Sequence, residues 1–342
     1  MISKRPAAVL VALLPACYAL AAAPLAGDSP AAHLPSHIRQ LTHFGERADW
    51  SHDGRKILFL SKSYGDAMEI DLATSAIRNL TAGFAHYGYL RALYLANGDV
   101  LLSGPVSYDP KNPDEARRNS YLFVLDKSLT KPPVPLGVRC NEGPAVSRQR
   151  LHIAWTEWAA SNKDQPPARS EILEADLVYE DGKPHLANRR SVIDNSALPF
   201  PSTIETQNFR PPDDRELTFS AYNPAGTESD VCIVDLATKK VTNLTASPDV
   251  YDEPEGIFPD GGALLVECDQ QNHQGPGHID IWKLALDGSA RYERLTHFSD
   301  YPGYKASNPV VSNDGRFFAF QMGHAGEAAG VGRGLFLYSF AK

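Results

Sequence analysis

The sequence of 342 residues predicts an all-β fold, a six-bladed β-propeller, because one short motif recurs along the chain. The motif consists of an apolar segment, a polar turn and a second segment in which apolar residues alternate. Its clearest copies are ADWSHDGRKILFLS at 48–61 and NPVVSNDGRFFAFQ at 308–321. Asp-Gly between two such segments is the strongest short-range signal for a β-hairpin. Hairpins repeated about every 40–50 residues are typical of propeller blades with four strands each.

Four further copies bring the number of repeats to six. The segment 256–267 is a clear copy, whereas 92–104 and 144–155 are weaker ones. In a degraded copy at 208–220, Asp214 stands where the turn glycine is expected. The turn positions of the six copies are 54, 98, 150, 214, 261 and 315. Six repeats of this kind predict six blades, with loop insertions accounting for the longer spacings.

The two ends of the chain are predicted to close the ring. Each hairpin is followed by a second strand pair, as in MEIDLATSAIRNLT at 68–81 and DVCIVDLATKKVTNLT at 230–245. The sixth repeat supplies only its third strand, GLFLYSF at 334–340. RQLTHF at 39–44 matches RLTHF at 294–298, the tail of the fifth repeat. We therefore expect the N-terminal strand to complete the last blade, since an open ring would leave unpaired strand edges.

The first residues have the pattern of an export signal. Lys4 and Arg5 precede the apolar run AAVLVALLPACYALAAA, and small residues follow from Ala21 to Ala26. The sequence thus predicts a signal peptide at 1–26, a flexible leader at 27–36 and the propeller at 37–342, in a periplasmic or secreted protein. The alternative is a lipoprotein anchored at Cys17. No other apolar run has the roughly 20 residues of a membrane span.

Charge and cysteine content narrow the classes of partner. The net charge is −8, and removal of Lys4 and Arg5 with the signal would make it −10. An acidic propeller is a poor candidate for a nucleic-acid-binding protein, because nucleic-acid binding requires a basic surface. Three cysteines would remain in the mature chain, and their sequence positions define no disulfide. We expect a monomer without a membrane span. The three cysteines are Cys140, Cys232 and Cys268.

The turns WSHDG, FPDG and VSNDG resemble those of the TolB-like (WD40-like) propeller repeat, and the resemblance extends over residues 37–342. Such repeats occur in periplasmic TolB, in prolyl-oligopeptidase-like peptidases and in carbohydrate-active lyases, so the resemblance implies the fold and leaves the function open. This sequence has neither the additional N-terminal domain of TolB nor the G-x-S-x-G motif of a peptidase domain. The closely paired histidines of oligogalacturonate lyases have no clear counterpart either.

Candidate site residues follow from propeller geometry. The innermost strand of each blade begins on one face, and the loop between the second and third strands returns to that face. Long polar insertions at 107–120 and 158–170 are predicted on this face, where propellers commonly carry their function. The candidate ligand-binding residues on it are His86, Arg91, Glu142, Glu157, Asp269, Asn308 and Gln321.

Blades five and six carry the densest group of candidates. Glu255 and Glu267 are predicted as a carboxyl pair, because crowded carboxyl groups raise one another's pKa and divide into acid and base. Lys305 would neutralise a substrate carboxylate, and His278 would take up a proton. Carboxylates and imidazoles also hold divalent cations, so one divalent metal ion is a candidate cofactor. Its predicted ligands are Asp269, His273 and His278.

Each of these side chains also has a purely structural interpretation. Buried carboxylates at strand starts accept backbone N–H bonds from neighbouring blades, and histidines in a Gly/Pro loop can simply be solvated. Our leading expectation is therefore a binding platform that presents its loop-rich face to a protein or a saccharide. The alternative is a lyase or hydrolase that acts on uronate-containing oligosaccharides, with or without a metal ion.

Overall fold

The computed structural model describes residues 27–158, 169–289, 291–327 and 330–340. They form six antiparallel sheets of four strands each, as the sequence predicts. The predicted signal peptide and Cys17 lie outside the described residues. Within them, no helix is both long enough and apolar enough to cross a membrane. At 27–36, the predicted leader, Pro30–Ala32 forms a short 3-10 turn, and Ala31 and Leu34 pack against the core of the last blade.

The first strand of the chain, β1 (Ile38–Gln40), belongs to the last blade. Blade one consists of β2 (Glu46–Trp50), β3 (Lys56–Leu60), β4 (Ala67–Asp71) and β5 (Ile77–Asn79). Blade two consists of β6 (Arg91–Tyr94), β7 (Val100–Pro105), β8 (Ser120–Leu125) and β9 (Val134–Arg139), with the helix α1 (Pro113–Arg118) between β7 and β8. Blade three consists of β10 (Glu142–Val146), β11 (His152–Trp158), β12 (Ser170–Glu180) and β13 (Lys183–Asp194).

The second half of the ring repeats the arrangement. Blade four consists of β14 (Thr203–Phe209), β15 (Glu216–Tyr222), β16 (Ser229–Asp235) and β17 (Val241–Asn243). Blade five consists of β18 (Asp252–Ile257), β19 (Ala263–Cys268), β20 (Asp280–Ala285) and β21 (Tyr292–Arg294). Blade six consists of β22 (Tyr304–Val311), β23 (Phe317–His324), β24 (Leu335–Ser339) and β1. Short 3-10 turns at Asn195–Ala197 and Phe298–Asp300 follow blades three and five.

The predicted closure of the ring is confirmed. β1 pairs with β24 in antiparallel register, with Ile38 opposite Tyr338 and Gln40 opposite Phe336. Beyond the strand, the Leu41 amide donates to the Leu335 carbonyl at 2.7 Å. Ile38 is buried in the aromatic core of blade six. The first and last strands of the described chain therefore share one sheet and one core.

The hairpin turns explain the repeated Asp-Gly. The turn glycines of blades one, two, five and six have φ between 68° and 88°, which a side chain seldom tolerates. In blade four Asp214 adopts the same left-handed conformation, with φ of 54°. Aspartate is among the few residues that accept it, so the predicted substitution for glycine is confirmed. Ser147 of blade three donates to the Asp214 carboxylate at 2.6 Å and ties the two turns together.

The core is divided into clusters that lie within and between adjacent blades. Trp50, Trp155, Phe219, Phe318 and Phe336 are among the largest fully buried side chains. Stacking small cores side by side lets the ring grow beyond the size of one hydrophobic core. The cysteines of the described residues form no disulfide and are buried in these clusters; they are Cys140, Cys232 and Cys268.

Candidate functional site

Irregular pairing on the innermost strands shapes the middle of the ring. In five of the six blades the register between the first and second strands shifts, and only β6 of blade two pairs regularly. Each shift is a β-bulge, which redirects a side chain that a regular strand would place elsewhere. The bulges lie at Arg47, Gly143, Gln207, Glu255 and Asn308.

A cavity of about 750 Å³ opens at the centre of the loop-rich face, and residues of all six blades line it. Its wall on blades four and five is acidic, with Glu205, Glu253, Glu255 and Glu267. The wall on blades six, one and two includes Glu46 and Glu327 and also contributes the cationic side chains. These are Lys305, Arg47, Arg91 and Arg117.

Asn308 joins two of the carboxyl groups. Its backbone N–H donates to Glu267 Oε1 at 2.5 Å, and its Nδ2 donates to Glu255 Oε1 at 2.8 Å and to Glu267 Oε1 at 3.2 Å. The two oxygens thus lie within about 6 Å of each other. The geometry requires a φ of 47° at Asn308, which asparagine tolerates better than most residues.

Glu267 is a buried carboxyl group at the cavity wall, with 4% of its surface exposed. Its Oε1 takes both donors of Asn308, and Oε2 has no hydrogen-bond partner among the described residues. Burial, followed by the charges of Glu253 and Glu255, raises the pKa of Glu267 well above its usual range. The carboxyl group therefore retains its proton to higher pH than an ordinary glutamate does, and it lies in the cavity wall.

Glu253 lies beside this pair and is held by phenol and amide donors. Tyr222 donates to Glu253 Oε1 at 2.5 Å, Gln207 Nε2 donates to the same oxygen at 3.1 Å, and Tyr251 donates to Oε2. Burial, with the charge of Glu255, raises the pKa of Glu253 to about 6 despite these donors. The Tyr222 hydroxyl also lies 3.1 Å from Glu205 Oε2, so one phenol connects the carboxylates of two blades.

The cations of the cavity differ in how they are paired. Arg91 of blade two donates to Glu255 of the opposite blade at 3.3 Å, which crosses the ring. Lys305 Nζ instead donates to the neutral carbonyl of Pro276 at 2.8 Å and forms no ion pair within the described part of the chain. Its ammonium group is therefore the cation that a bound anion would meet with the least competition.

Two polar groups of the cavity wall lack a partner among the residues that the structure describes. The indole Nε1 of Trp158 is buried and can only donate, and the Ser307 hydroxyl can donate or accept. Ser307 itself is 3% exposed. Buried polar groups almost always have a partner, and water or a ligand supplies it where the protein does not.

A second ion pair joins two blades of the ring next to the cavity. Arg148 of blade three donates with both terminal nitrogens to the fully buried carboxylate of Asp49 in blade one. The Tyr94 amide donates to the same carboxylate at 2.7 Å. A space of about 60 Å³ is lined by this pair and also by Arg91, Glu255 and Asn308 of the cavity wall.

Six of the twelve residues predicted as a site meet in this cavity. They are Glu255, Glu267, Lys305, Arg91, Asn308 and Gln321. Gln321 has a positioning contact, because its Oε1 accepts the bulged amide of Arg47 at 2.6 Å. Glu142 begins β10, and the structure does not describe its side chain.

The other predicted residues lie away from the cavity lining. His86 bonds to Asp66 and to the Gly88 amide, so it holds a loop together. Glu157 accepts from Trp155 Nε1 and from Arg189. His278 lies in the 268–280 loop, and its Nδ1 is buried without a partner among the described residues.

The predicted metal ligands are not arranged as a metal site. Asp269 accepts the amides of Tyr251 and Gly275 with its two oxygens, at 2.8 and 2.6 Å, and thereby shapes its own loop. His273 is exposed and bonds to the Asp249 carbonyl. In the described ranges, no three His, Cys, Asp or Glu side chains are grouped so that they could hold a metal ion. Asp269 and His273, as they are placed, do not fit the divalent metal ion that the carboxylates and imidazoles suggested, so no step is assigned to one.

Several cavity residues are not among the predicted candidates. Glu46, Arg117, Glu205, Tyr251 and Ser307 all line it. Glu46 is the first residue of β2, and Glu205 is the third residue of β14. A search for polar residues at the start of each innermost strand could therefore have found both. Arg117 lies in α1 inside the long insertion of blade two, and no pattern in the sequence indicates how that insertion folds back.

Fold and site together define a six-bladed β-propeller with one polar, charged central pocket. No protein-family model matches the sequence, and no curated protein matches it either. The resemblance to TolB-like repeats therefore has no support from a sequence comparison.

Solved structures that resemble the chain do so at low sequence identity. A puromycin-hydrolysing peptidase from Mycobacterium tuberculosis has a TM-score of 0.52 and 15% identity over 82% of this chain, which spans only 40% of the peptidase. An oligogalacturonate lyase in complex with manganese has a TM-score of 0.51 and 14% identity over 89% of this chain and 80% of the lyase. These two likenesses show the propeller fold alone. TolB from Acinetobacter baumannii has a TM-score of 0.42 and 15% identity over 83% of this chain and 67% of TolB.

Proposed function

We propose that the protein binds a saccharide in the central cavity of its loop-rich face. The observation that carries the proposal is the pair of unpartnered groups in the cavity wall, Trp158 Nε1 and Ser307 Oγ. Sugar hydroxyl groups can both donate and accept, so they suit a wall that mixes carboxyl, amide, phenol and indole groups. The cavity of about 750 Å³ is within the usual range for a small-molecule site.

An acidic sugar fits this cavity better than a neutral one. Lys305 has no ion pair in the described structure, and its ammonium lowers the pKa of nearby Glu267. A uronate carboxylate bound at Lys305 would gain a charge-assisted hydrogen bond in a site shielded from water. A bound protein would cover the loop-rich face but would leave the polar groups inside the cavity without hydrogen bonds. We therefore favour a saccharide as the ligand.

Calorimetric titration with trigalacturonate and with the neutral trisaccharide maltotriose tests the proposal. We expect trigalacturonate to bind at least tenfold more tightly, and Lys305→Ala to remove that preference without changing the melting temperature. Lys62→Ala is the matched control, because it removes the same charge from an exposed loop of the same face. If neither sugar binds, or if Lys305→Ala and Lys62→Ala behave alike, the proposal is wrong.

A second candidate function is cleavage of the bound saccharide, and one observation favours it. Glu267, whose pKa is raised by burial, lies in the cavity wall, and Glu255, which is ion-paired with Arg91, lies within about 6 Å of it. Two neighbouring carboxyl groups in such different environments are the arrangement that divides the acid and base roles in glycosidases. Glu267 would protonate the leaving glycosidic oxygen, and Glu255 would act as base or nucleophile in a hydrolase. In a lyase, Glu255 would remove the proton beside the uronate carboxylate.

Analysis of the reaction products distinguishes binding from cleavage, and hydrolysis from elimination. Both reactions release new reducing ends, but only elimination yields an unsaturated uronate that absorbs in the ultraviolet. Glu267→Gln keeps the Oε1 acceptor for Asn308 and removes the proton donor, so we expect it to abolish cleavage and retain binding. If wild type binds trigalacturonate and releases no reducing ends over days, the protein is a binding protein only.

We further propose that the chain is exported, on the basis of the signal pattern at 1–26. Mass spectrometry of the mature protein tests this. A mature N-terminus after one of the residues from Ala21 to Ala26 would indicate a free periplasmic or secreted protein. A diacylated Cys17 would indicate a lipoprotein, and an intact Met1 would contradict export.

A further inference from the structure

A strained tyrosine lies at the rim of the cavity, in the loop between the second and third strands of blade one. Tyr64 has a φ of 57°, a conformation that is unusual for a bulky residue. Its amide donates to the Tyr89 carbonyl at 2.9 Å, and Gly88 packs so closely that a Cβ there would lie 2.0 Å from the Tyr64 carbonyl oxygen. Backbone strain maintained by such packing is most often found at functional sites.

The strained backbone positions the Tyr64 ring against Tyr108 of the neighbouring blade. The two ring centroids are 4.7 Å apart, and the planes are inclined by 37°. The Tyr64 hydroxyl donates to the Pro113 carbonyl at 2.8 Å, which fixes the ring to the start of α1. Tyr108 is 38% exposed, so the pair forms a rigid aromatic surface that is open to solvent.

This aromatic surface is continuous with the cavity. Ser63, the neighbour of Tyr64, donates from Oγ to Glu46 at 2.6 Å and from its amide to the Gly330 carbonyl at 3.0 Å. Glu46 and Gly330 both line the cavity. On the other side, the insertion that carries Tyr108 continues into α1, which places Arg117 in the cavity wall.

We propose that the Tyr64–Tyr108 pair is a second sugar-binding subsite, and that the ligand is an oligosaccharide chain extending from the central cavity across the rim. The inference rests on the proposed saccharide function and adds the length of the ligand and the direction in which it leaves the cavity.

The chemistry of the pair favours a sugar ring as its occupant. The C–H groups of a pyranose face pack on the face of an aromatic ring, while the hydroxyl groups remain in water. Two tyrosines with fixed orientation offer this surface at little entropic cost, because the packing of Tyr64 is already in place before binding. The strained backbone of Tyr64 and its hydrogen bond to Pro113 are what fix the orientation of the pair.

Affinity as a function of chain length tests the inference. Dissociation constants are measured for oligogalacturonates from one to six residues, on wild type, Tyr108→Ala and Tyr108→Phe. We expect wild type to gain about tenfold in affinity once the chain is long enough to reach the rim. Tyr108→Ala should lose this gain and bind the shortest ligands unchanged, and Tyr108→Phe should retain it. Ile77→Ala, which removes an exposed apolar side chain from the outer strand of blade one, should match wild type.

The outcomes distinguish this inference from the proposed function. A gain with chain length that persists in Tyr108→Ala would overturn the subsite and leave cavity binding intact. Equal loss for all chain lengths in Tyr108→Ala would also overturn it, because the residue would then act on the cavity itself. If no oligogalacturonate of any length binds, the proposed function fails and the subsite fails with it.

Discussion

Replacing Glu253 by glutamine should flatten the dependence of stability on pH. The pKa of Glu253 is raised from 4.5 to about 6 in the folded protein, chiefly by burial and then by the charge of Glu255. The folded state therefore retains this proton to higher pH than the unfolded state. The resulting stabilisation is complete below about pH 4.5 and is lost as pH rises through about 6. The raised pKa corresponds to about 2 kcal/mol of stability, most of which is lost between pH 4.5 and 7.5.

Chemical denaturation of wild type and Glu253→Gln at a series of pH values from 4.5 to 7.5 measures this quantity. Glutamine cannot ionise, so the difference in unfolding free energy between the two proteins should shift by roughly 1–2 kcal/mol in favour of the variant as pH rises over this range. Glu180→Gln, which changes an exposed carboxylate on the β12–β13 hairpin, should give a curve parallel to wild type. If the curve of Glu253→Gln is also parallel to that of wild type, the conclusion that folding raises the pKa of Glu253 is refuted.

Three further predictions concern the ring and its core. Ile38→Ala removes a buried side chain from the closing strand β1 and should reduce the unfolding free energy by about 2–5 kcal/mol in denaturant titrations; a loss below 0.5 kcal/mol would contradict a structural role for the closure. Arg148→Met leaves the Asp49 carboxylate buried without its cation and should cost about 3–5 kcal/mol, which the double variant Asp49→Asn/Arg148→Met should largely restore. In the native protein, a thiol reagent followed by mass spectrometry should label none of the described cysteines, and labelling of any one without denaturant would contradict their burial; they are Cys140, Cys232 and Cys268.

The fold is predictable from the sequence because each level of the pattern agrees with the next. Asp-Gly marks the hairpins, and the left-handed φ at Gly54 and Asp214 shows why those residue types recur at the turns. The match between RQLTHF and RLTHF identified the closing strand, since strands in equivalent positions pack against equivalent neighbours. Local rules suffice here because each blade is a small, repeated unit.

The cavity is only partly predictable, because bulges decide which side chains enter it. In a regular β18, Glu253 and Glu255 would point to the same side of the strand. The bulge at Glu255 breaks that alternation: Glu255 turns to Arg91 and Asn308, while Glu253 is held by Tyr222 and Tyr251. No pattern in the local sequence predicts a bulge at this position. The loop histidines failed for a different reason, since long loops fold back in ways that no periodic pattern encodes.

The large number of carboxyl groups at the cavity follows from the position of the innermost strands in the ring. Innermost strands converge toward the axis of the ring, so carboxylates from different blades are brought close together and away from water. Arg91 compensates Glu255, but no cation within hydrogen-bond distance compensates Glu253 or Glu267 in the described structure, and both retain protons to higher pH. In the proposed saccharide site, a carboxyl group that retains its proton in this way would be the proton donor to the bound sugar. A ligand that binds at Lys305 would remove the nearby positive charge that favours ionisation of Glu267, and the bound state would hold its proton more firmly still.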